Sequence, residues 1–328
     1  LFQMKLIPEW LPHESCCIAW PCNHELYGNV LSEAKIEIAN LINEISSDEK
    51  VLLFCNPSDL MECRKIVGNS EVDFIEVPLD DSWMRDIAPI FIKNLNQLES
   101  ICFEFNGYGK YSNYSKDNEI ANFISKKLNI NYLSSSFVLE GGAITYDDED
   151  NLFTTESVLL NKNRNNNLSK IQYEKELIKL FDIKNIVWLP EGLVGDDTDG
   201  HIDNLLCPIG NKKYLLASTD NKEDVNYHIL KKNSLIIRDH FIDRVEIIDV
   251  PIPDPIILED KKLVSSYINF YFTENKIILP KFMVYQDAIV RELFSSLFPN
   301  KSIIMLDTRS INYGGGNIHC VTMNVPKV

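Results

Sequence analysis

The sequence has no run approaching the roughly 18 to 20 consecutive apolar residues that a membrane-crossing helix needs, and no basic N-terminal segment leading into an apolar stretch. Neither a membrane helix nor an export signal is read from it, and a cytoplasmic location is the expectation. Positive charge is scarce: 32 Lys and Arg face 48 Asp and Glu, for a formal net charge of -16. Such a surface repels phosphate backbones and anionic lipid, so neither nucleic acid nor a membrane is an expected partner, and a small cationic ligand suits it better. No Cys-x-x-Cys pair occurs and the His and Cys residues do not gather into ligand pairs, so no metal and no cofactor are expected. Eight cysteines in 328 residues, 45% of them hydrophobic, read as small core residues rather than as a disulfide framework. No glycine-serine linker or proline cluster divides the chain, and the runs 161–167 and 251–255 read as surface loops. A single domain over 4–328 is expected, with Leu1-Phe2-Gln3 before Met4 reading as a tag remnant.

What is present is an alternation of two periodicities. Short runs of strand type recur at 51–55, 73–77, 101–105, 137–141, 186–190, 214–218, 245–250, 276–280 and 302–306. Among them, 32–46, 118–129, 169–181 and 285–298 carry apolar residues at three- and four-residue steps, the mark of amphipathic helices. The expected fold class is mixed α/β. Four polar segments recur at comparable intervals: WMRD ending at Asp86, LEGG with Glu140, GHIDN with Asp203 and GGGNIHC with Cys320, at spacings of 54, 63 and 117 residues. The last gap is about twice the others, which places a missing member near 261–269, where SSYINFY offers Asn269. A period of about 60 residues implies repeated supersecondary units that each send one segment to a shared centre.

The chemistry follows from residue type. GGGNIHC sets Cys320 after a glycine triplet, where the backbone approaches a ligand closely and a thiol is placed to attack; a buried structural cysteine fits the same letters. His201 and Asp203 are two residues apart, so on a strand both face one cavity, with His201 moving protons near neutral pH. Asp86 and Asp203 together suit a planar cation, each carboxylate accepting paired N–H bonds from a guanidinium fork; the alternative is an ordinary ion pair of Arg85 or of Asp86 at a turn. Glu140, beside a glycine pair, reads either as the carboxylate that orients a charged His201 or as a turn residue.

Taken in order, WMRD-x-x-P (83–89), LEGGAI (139–144), TTESVLLNKNRN (154–165), GDDTDGHIDN (195–204), SYINFY (266–271) and YGGGNIHCVT (313–322) resemble the agmatine deiminases of the guanidino-group-modifying superfamily, nearly end to end. The resemblance implies a five-bladed α/β propeller (pentein) of ββαβ repeats with pseudo-fivefold symmetry. It implies Cys320 as nucleophile, His201 as acid and base, Asp86 and Asp203 as guanidinium ligands and Glu140 as acidic partner. The implied reaction hydrolyses agmatine to N-carbamoylputrescine and ammonia through a covalent thiouronium on Cys320. No basic residue lies in these motifs beyond Arg85 and the NKNR loop, so an amine tail is favoured over a carboxylate. Trp83, Asp197, Asp199, Asn269 and Gly316 are the candidate substrate contacts, and Lys110 in GYGKY has no assigned role. Arginine or peptidyl-arginine is the alternative substrate, and a non-catalytic binding protein on the same propeller the alternative outside catalysis. Oligomeric state is left open, a homo-oligomer included.

Overall fold

The computed structural model describes residues 4–68, 71–166 and 168–328; the leading tripeptide and the end of the NKNRNNN loop at Asn167 lie outside them. Five times the chain lays down the same supersecondary unit: a short strand, an antiparallel partner, a helix, and a third strand parallel to the second. The first comprises Ile90–Asn94, Gln97–Glu104, the helix Ile120–Lys127 and Asn131–Val138, with Met4–Leu6 added at its edge. The second runs Ile144–Tyr146, Asn151–Thr155, helix Lys170–Phe181 and Asn185–Leu189. The third runs Leu206–Pro208, Lys213–Ser218, helix Tyr227–Phe241 and Glu246–Pro251. The fourth runs Tyr271–Phe272, Lys276–Lys281, helix Gln286–Leu297 and Ser302–Asp307. The fifth starts near the C-terminus: Thr322–Pro326 pairs with His13–Ala19, the helix Leu31–Ser46 follows, and Lys50–Cys55 and Val72–Glu76 complete the sheet.

The chain forms two compact regions, each built from separated stretches. One holds Asp86–Pro251 with the N-terminal stretch to Leu11 and contains the first three units; the other holds Pro12–Arg85 and Ile252–Lys327 and contains the last two, plus the hairpin Ile257–Leu258 with Lys261–Lys262. In the first region the helix Lys170–Phe181 opens with a capping box between Ser169 and Gln172. It buries Tyr173, Leu177 and Phe181 at four-residue steps in a core shared with Ile90, Ile92, Ile101, Ile144 and Leu152. Each such side chain contributes about 1.5–3 kcal/mol by leaving water. The middle strand Lys213–Ser218 is buried from Tyr214 to Ala217, as a strand covered on both faces is. Among the described residues, no helix is long and apolar enough to cross a membrane.

Every strand-type run and helical window read from the sequence overlaps an element of its type, with local corrections. The run 137–141 is strand only to Val138, and Glu140 lies in the turn beyond it. GHIDN is not a strand: His201 precedes a 3-10 turn, Ile202–Asn204, so a two-residue alternation is not what brings His201 and Asp203 together. In SSYINFY only Tyr271 belongs to a strand. The helix Tyr227–Phe241 escaped the sequence reading because its buried stripe, Leu230, Asn233, Ile237 and Phe241, contains a polar residue. The period itself has a structural cause, since Asp86, Glu140, Asp203, Asn269 and Cys320 each lie two to four residues ahead of the opening strand of their unit.

Candidate active site

In the first region, three side chains crowd against the backbone of Gly142. A Cβ built there would lie 2.6 Å from His201 Nδ1, 2.9 Å from Asp86 Oδ1 and 3.0 Å from Asp203 Oδ2, so glycine is the residue the packing admits. The Gly142 N–H donates to Asp86 Oδ1 at 2.9 Å, the Tyr108 hydroxyl donates to Asp86 Oδ2 at 2.8 Å, and His201 Nδ1 stands 3.8 Å from Asp86 Oδ1. Burial pushes the Asp86 carboxyl above its usual range; His201 opposes that rise, while Asp203 and Glu140 add to it. A cation entering here meets two buried carboxylates and relieves their mutual repulsion.

Behind this cluster a buried arginine balances the remaining acids. Arg164 Nε donates to Glu140 Oε1 at 2.5 Å, with both side chains fully buried, and Nη1 donates to Tyr108 O at 2.7 Å and Asp199 Oδ2 at 2.8 Å. Nη2 donates to Thr198 O at 3.0 Å, so one guanidinium ties its own loop to three others. Asp196 is buried and accepts from Thr198 N at 2.8 Å, Thr198 Oγ1 at 2.6 Å and Asn204 Nδ2 at 3.3 Å, bracing the loop that presents His201. Burial raises the Asp196 carboxyl, with His201 acting against the rise.

In the second region, Cys320 lies in the turn before Thr322–Pro326 and is 5% exposed. Asn269 holds that turn. Its Nδ2 donates to Cys320 Sγ at 3.1 Å, while its Oδ1 accepts from His319 N at 2.9 Å and Cys320 N at 3.3 Å. An amide donor on sulfur favours the thiolate, the nucleophilic form. Arg85 grips the same segment: Cys320 O accepts from Arg85 N at 3.0 Å, and the Arg85 side chain donates to His319 O and Asn324 Oδ1, both at 3.4 Å. Arg85 thus serves the Cys320 turn, while the next residue, Asp86, takes donors from Gly142 and Tyr108. Trp83 stacks on Tyr27 with ring centroids 6.2 Å apart. A Cβ on Gly316 would meet Trp83 Cζ3 at 2.5 Å and Cys320 Cβ at 2.8 Å, so the absent side chain leaves room for the indole and the cysteine.

Glu140 and Asp199 have partners that the sequence did not suggest. No hydrogen bond joins Glu140 to His201; the Glu140 carboxylate is turned to Arg164, and the carboxylate paired with His201 is Asp86. The Asp199 carboxylate is already engaged: Lys110 Nζ lies 2.7 Å from Oδ1, while Asn163 Nδ2 and Arg164 Nη1 both donate to Oδ2 at 2.8 Å. Burial works against the charge of Asp199, but these donors hold its carboxyl below the usual range. Lys110, left without a role by the sequence, also donates to Asp197 O at 2.7 Å and so fastens the 196–199 loop. Asp197 is half-buried in that loop. Sequence reasoning missed Tyr108 and Arg164, although GYG and NKNR were both in view; a tyrosine between glycines hints at unusual backbone, whereas Arg164, set among asparagines, carries no local sign of its distant acidic partners. Among the described residues, no group of three or more His, Cys, Asp or Glu is arranged to hold a metal ion.

The chain is similar along nearly its whole length to known proteins. The chain is 31% identical over 350 aligned residues to the agmatine deiminase of Pseudomonas aeruginosa (strain UCBPP-PA14), covering 98% of this chain and 95% of that protein. Its structure is similar to C. jejuni agmatine deiminase, solved as a Cys-to-Ser variant with substrate bound, at a TM-score of 0.92 and 30% identity over 99% of this chain and 97% of the other. The agmatine deiminase of Enterococcus faecalis superposes at a TM-score of 0.94 with 23% identity over 99% and 96%, a likeness of fold. The family model of the Porphyromonas-type peptidyl-arginine deiminases matches residues 5–326, and the chain belongs to that family.

Proposed function

We propose that this protein is an agmatine deiminase, hydrolysing agmatine to N-carbamoylputrescine and ammonia. The observation that carries the reading is the crowding of Asp86, His201 and Asp203 around Gly142, two carboxylates and an imidazole in one buried cluster. Asp86 and Asp203 receive the guanidinium, matching its N–H groups and fixing its central carbon. The Cys320 thiolate attacks that carbon, His201 gives a proton to the departing nitrogen, and ammonia leaves a thiouronium bonded to sulfur. His201 then takes a proton from water as the oxygen attacks; the C–S bond breaks, the thiolate returns, and the ureido product is released. Asn269 supports the thiolate through its amide donor, Trp83 and Asp197 contribute to tail binding, and Gly316 makes room at the thiol.

The finer architecture belongs to this reading too. Five repeats of one ββαβ unit support a five-bladed α/β propeller, and the interleaving of two regions along the chain supports one catalytic domain over 4–328. The net charge of -16 supports a cationic small-molecule substrate rather than nucleic acid, and eight free cysteines support a reducing, cytoplasmic setting. Because the matching family is described by peptidyl-arginine, arginine-bearing substrates are the second reading. Purified protein incubated separately with agmatine, free arginine and an arginine peptide should release ammonia from agmatine with kcat/KM at least about tenfold above the others. Faster consumption of arginine or the peptide replaces the substrate assignment. Release from none of them ends the enzymatic reading.

A further inference from the structure

We propose that Tyr108 is a positioning residue for this reaction: its hydroxyl aims the Asp86 carboxylate at the guanidinium and keeps it in the charged form. The inference rests on the reading that Asp86 binds the guanidinium. Tyr108 is held in a left-handed backbone conformation, φ 59 and ψ 14, which a residue with a Cβ rarely adopts and which persists only where surroundings enforce it. Those surroundings are visible. The Tyr108 carbonyl accepts from Arg164 Nη1 at 2.7 Å, the Arg164 guanidinium carbon lies 5.7 Å from the centre of the ring, and Phe105 packs edge-on at 5.1 Å. The ring meets the His201 imidazole at 6.0 Å with an interplanar angle of 64°. The strained backbone thus delivers one hydroxyl to one oxygen, Asp86 Oδ2, at 2.8 Å, while the other oxygen takes the Gly142 N–H.

The electrical need for that donor is plain from the groups facing Asp86. His201 is a potential cation at 3.8 Å, but Asp203 and Glu140 are like charges, and Arg164 is engaged by Glu140 and Asp199. Burial and the two acids favour protonation of Asp86, and a protonated Asp86 has lost the charge that holds a guanidinium. A hydroxyl donor favours the carboxylate form.

Tyr108→Phe removes the hydroxyl and retains the ring, so packing on His201 and Phe105 survives. With agmatine, kcat/KM of the variant should fall roughly 10- to 100-fold, and the acid limb of its pH profile should move to higher pH while the thermal midpoint changes little. A variant that matches the unmodified protein in kcat/KM and in acid limb overturns the proposal. So does a variant whose activity loss comes with an unmoved acid limb and a lowered midpoint, since that is a packing role. If the unmodified protein itself does not consume agmatine, the failure lies with the proposed function and not with Tyr108.

Discussion

Around Gly142 the buried polar side chains are mostly acids, whereas the turn beside Gly316 is held by an amide and a guanidinium. In the first region Asp86, Asp196, Glu140 and Asp203 are all buried, and Arg164 lies among them fully buried as well. In the second, Cys320 is held by an amide side chain and by backbone groups, with Arg85 donating to carbonyl and amide oxygens rather than to a carboxylate. The difference follows from what each group must do. A carboxylate kept ionised out of water needs donors and a countercharge, because desolvation alone would protonate it. A thiol has little charge to protect until it reacts, and one directed N–H is enough to bias it.

The comparison breaks first at Arg164. Arg164→Met leaves Glu140 buried without its partner, and stability should drop by about 3–5 kcal/mol in urea unfolding near neutral pH. A loss below about 1 kcal/mol would mean that Glu140 simply takes up a proton, and the first region would then be no more charge-dependent than the second. The next test is Asn269→Asp. It keeps an acceptor for the His319 and Cys320 N–H groups but replaces the donor beside sulfur with a negative charge. Alkylation of Cys320 at pH 8 should slow and agmatine turnover should fall roughly 10- to 100-fold, with unfolding changed by about 1 kcal/mol or less. Unchanged alkylation would show that the amide does not support the thiolate.

The smallest expected effect sharpens the comparison from the other side. Glu37 is an acid of the second region, accepting from Ser310 N at 3.0 Å and Ile311 N at 2.8 Å at the start of the helix Arg309–Tyr313. Burial pushes its carboxyl up from 4.5 to about 7, against the pull of those donors. A raised folded-state value means that the folded protein binds the proton more tightly. The stability Glu37 contributes is therefore full below pH 4.5 and is lost as pH rises through 7. Relative to Glu37→Gln, the unmodified protein should lose on the order of 1–3 kcal/mol across that window. A difference between the two that stays flat with pH would show that Glu37 titrates alike in the folded and unfolded protein and that burial does not favour its neutral form.

Much of the fold was legible because burial writes itself into spacing. Tyr173, Leu177 and Phe181 announce their helix by four-residue steps, and LLA within 214–218 announces a covered strand. The 60-residue rhythm was legible for a related reason: each unit places a polar residue just ahead of its opening strand, and Asn269 filled the place that the spacing left open. The opening strands themselves, such as Tyr271–Phe272 and Leu206–Pro208, were not read because two or three residues carry no periodicity. The contacts of Asp199 were not legible for a different reason. Its type is that of an ammonium receptor, yet Lys110 and Arg164 come from positions 89 and 35 residues away in the sequence to neutralise it, and no local pattern records such partners.

By itself, then, the sequence determined the α/β alternation, the repeat and the candidates for the reactive side chains, because these depend on residue type and on neighbours a few positions away. Only the tertiary structure decided that Glu140 answers to Arg164 rather than His201, that Tyr108 reaches Asp86, and that Asn269 touches the Cys320 sulfur. Hydrogen bonds and charges act over a few ångströms of space, and the chain distances between those partners, 24, 22 and 51 residues, are closed only by folding.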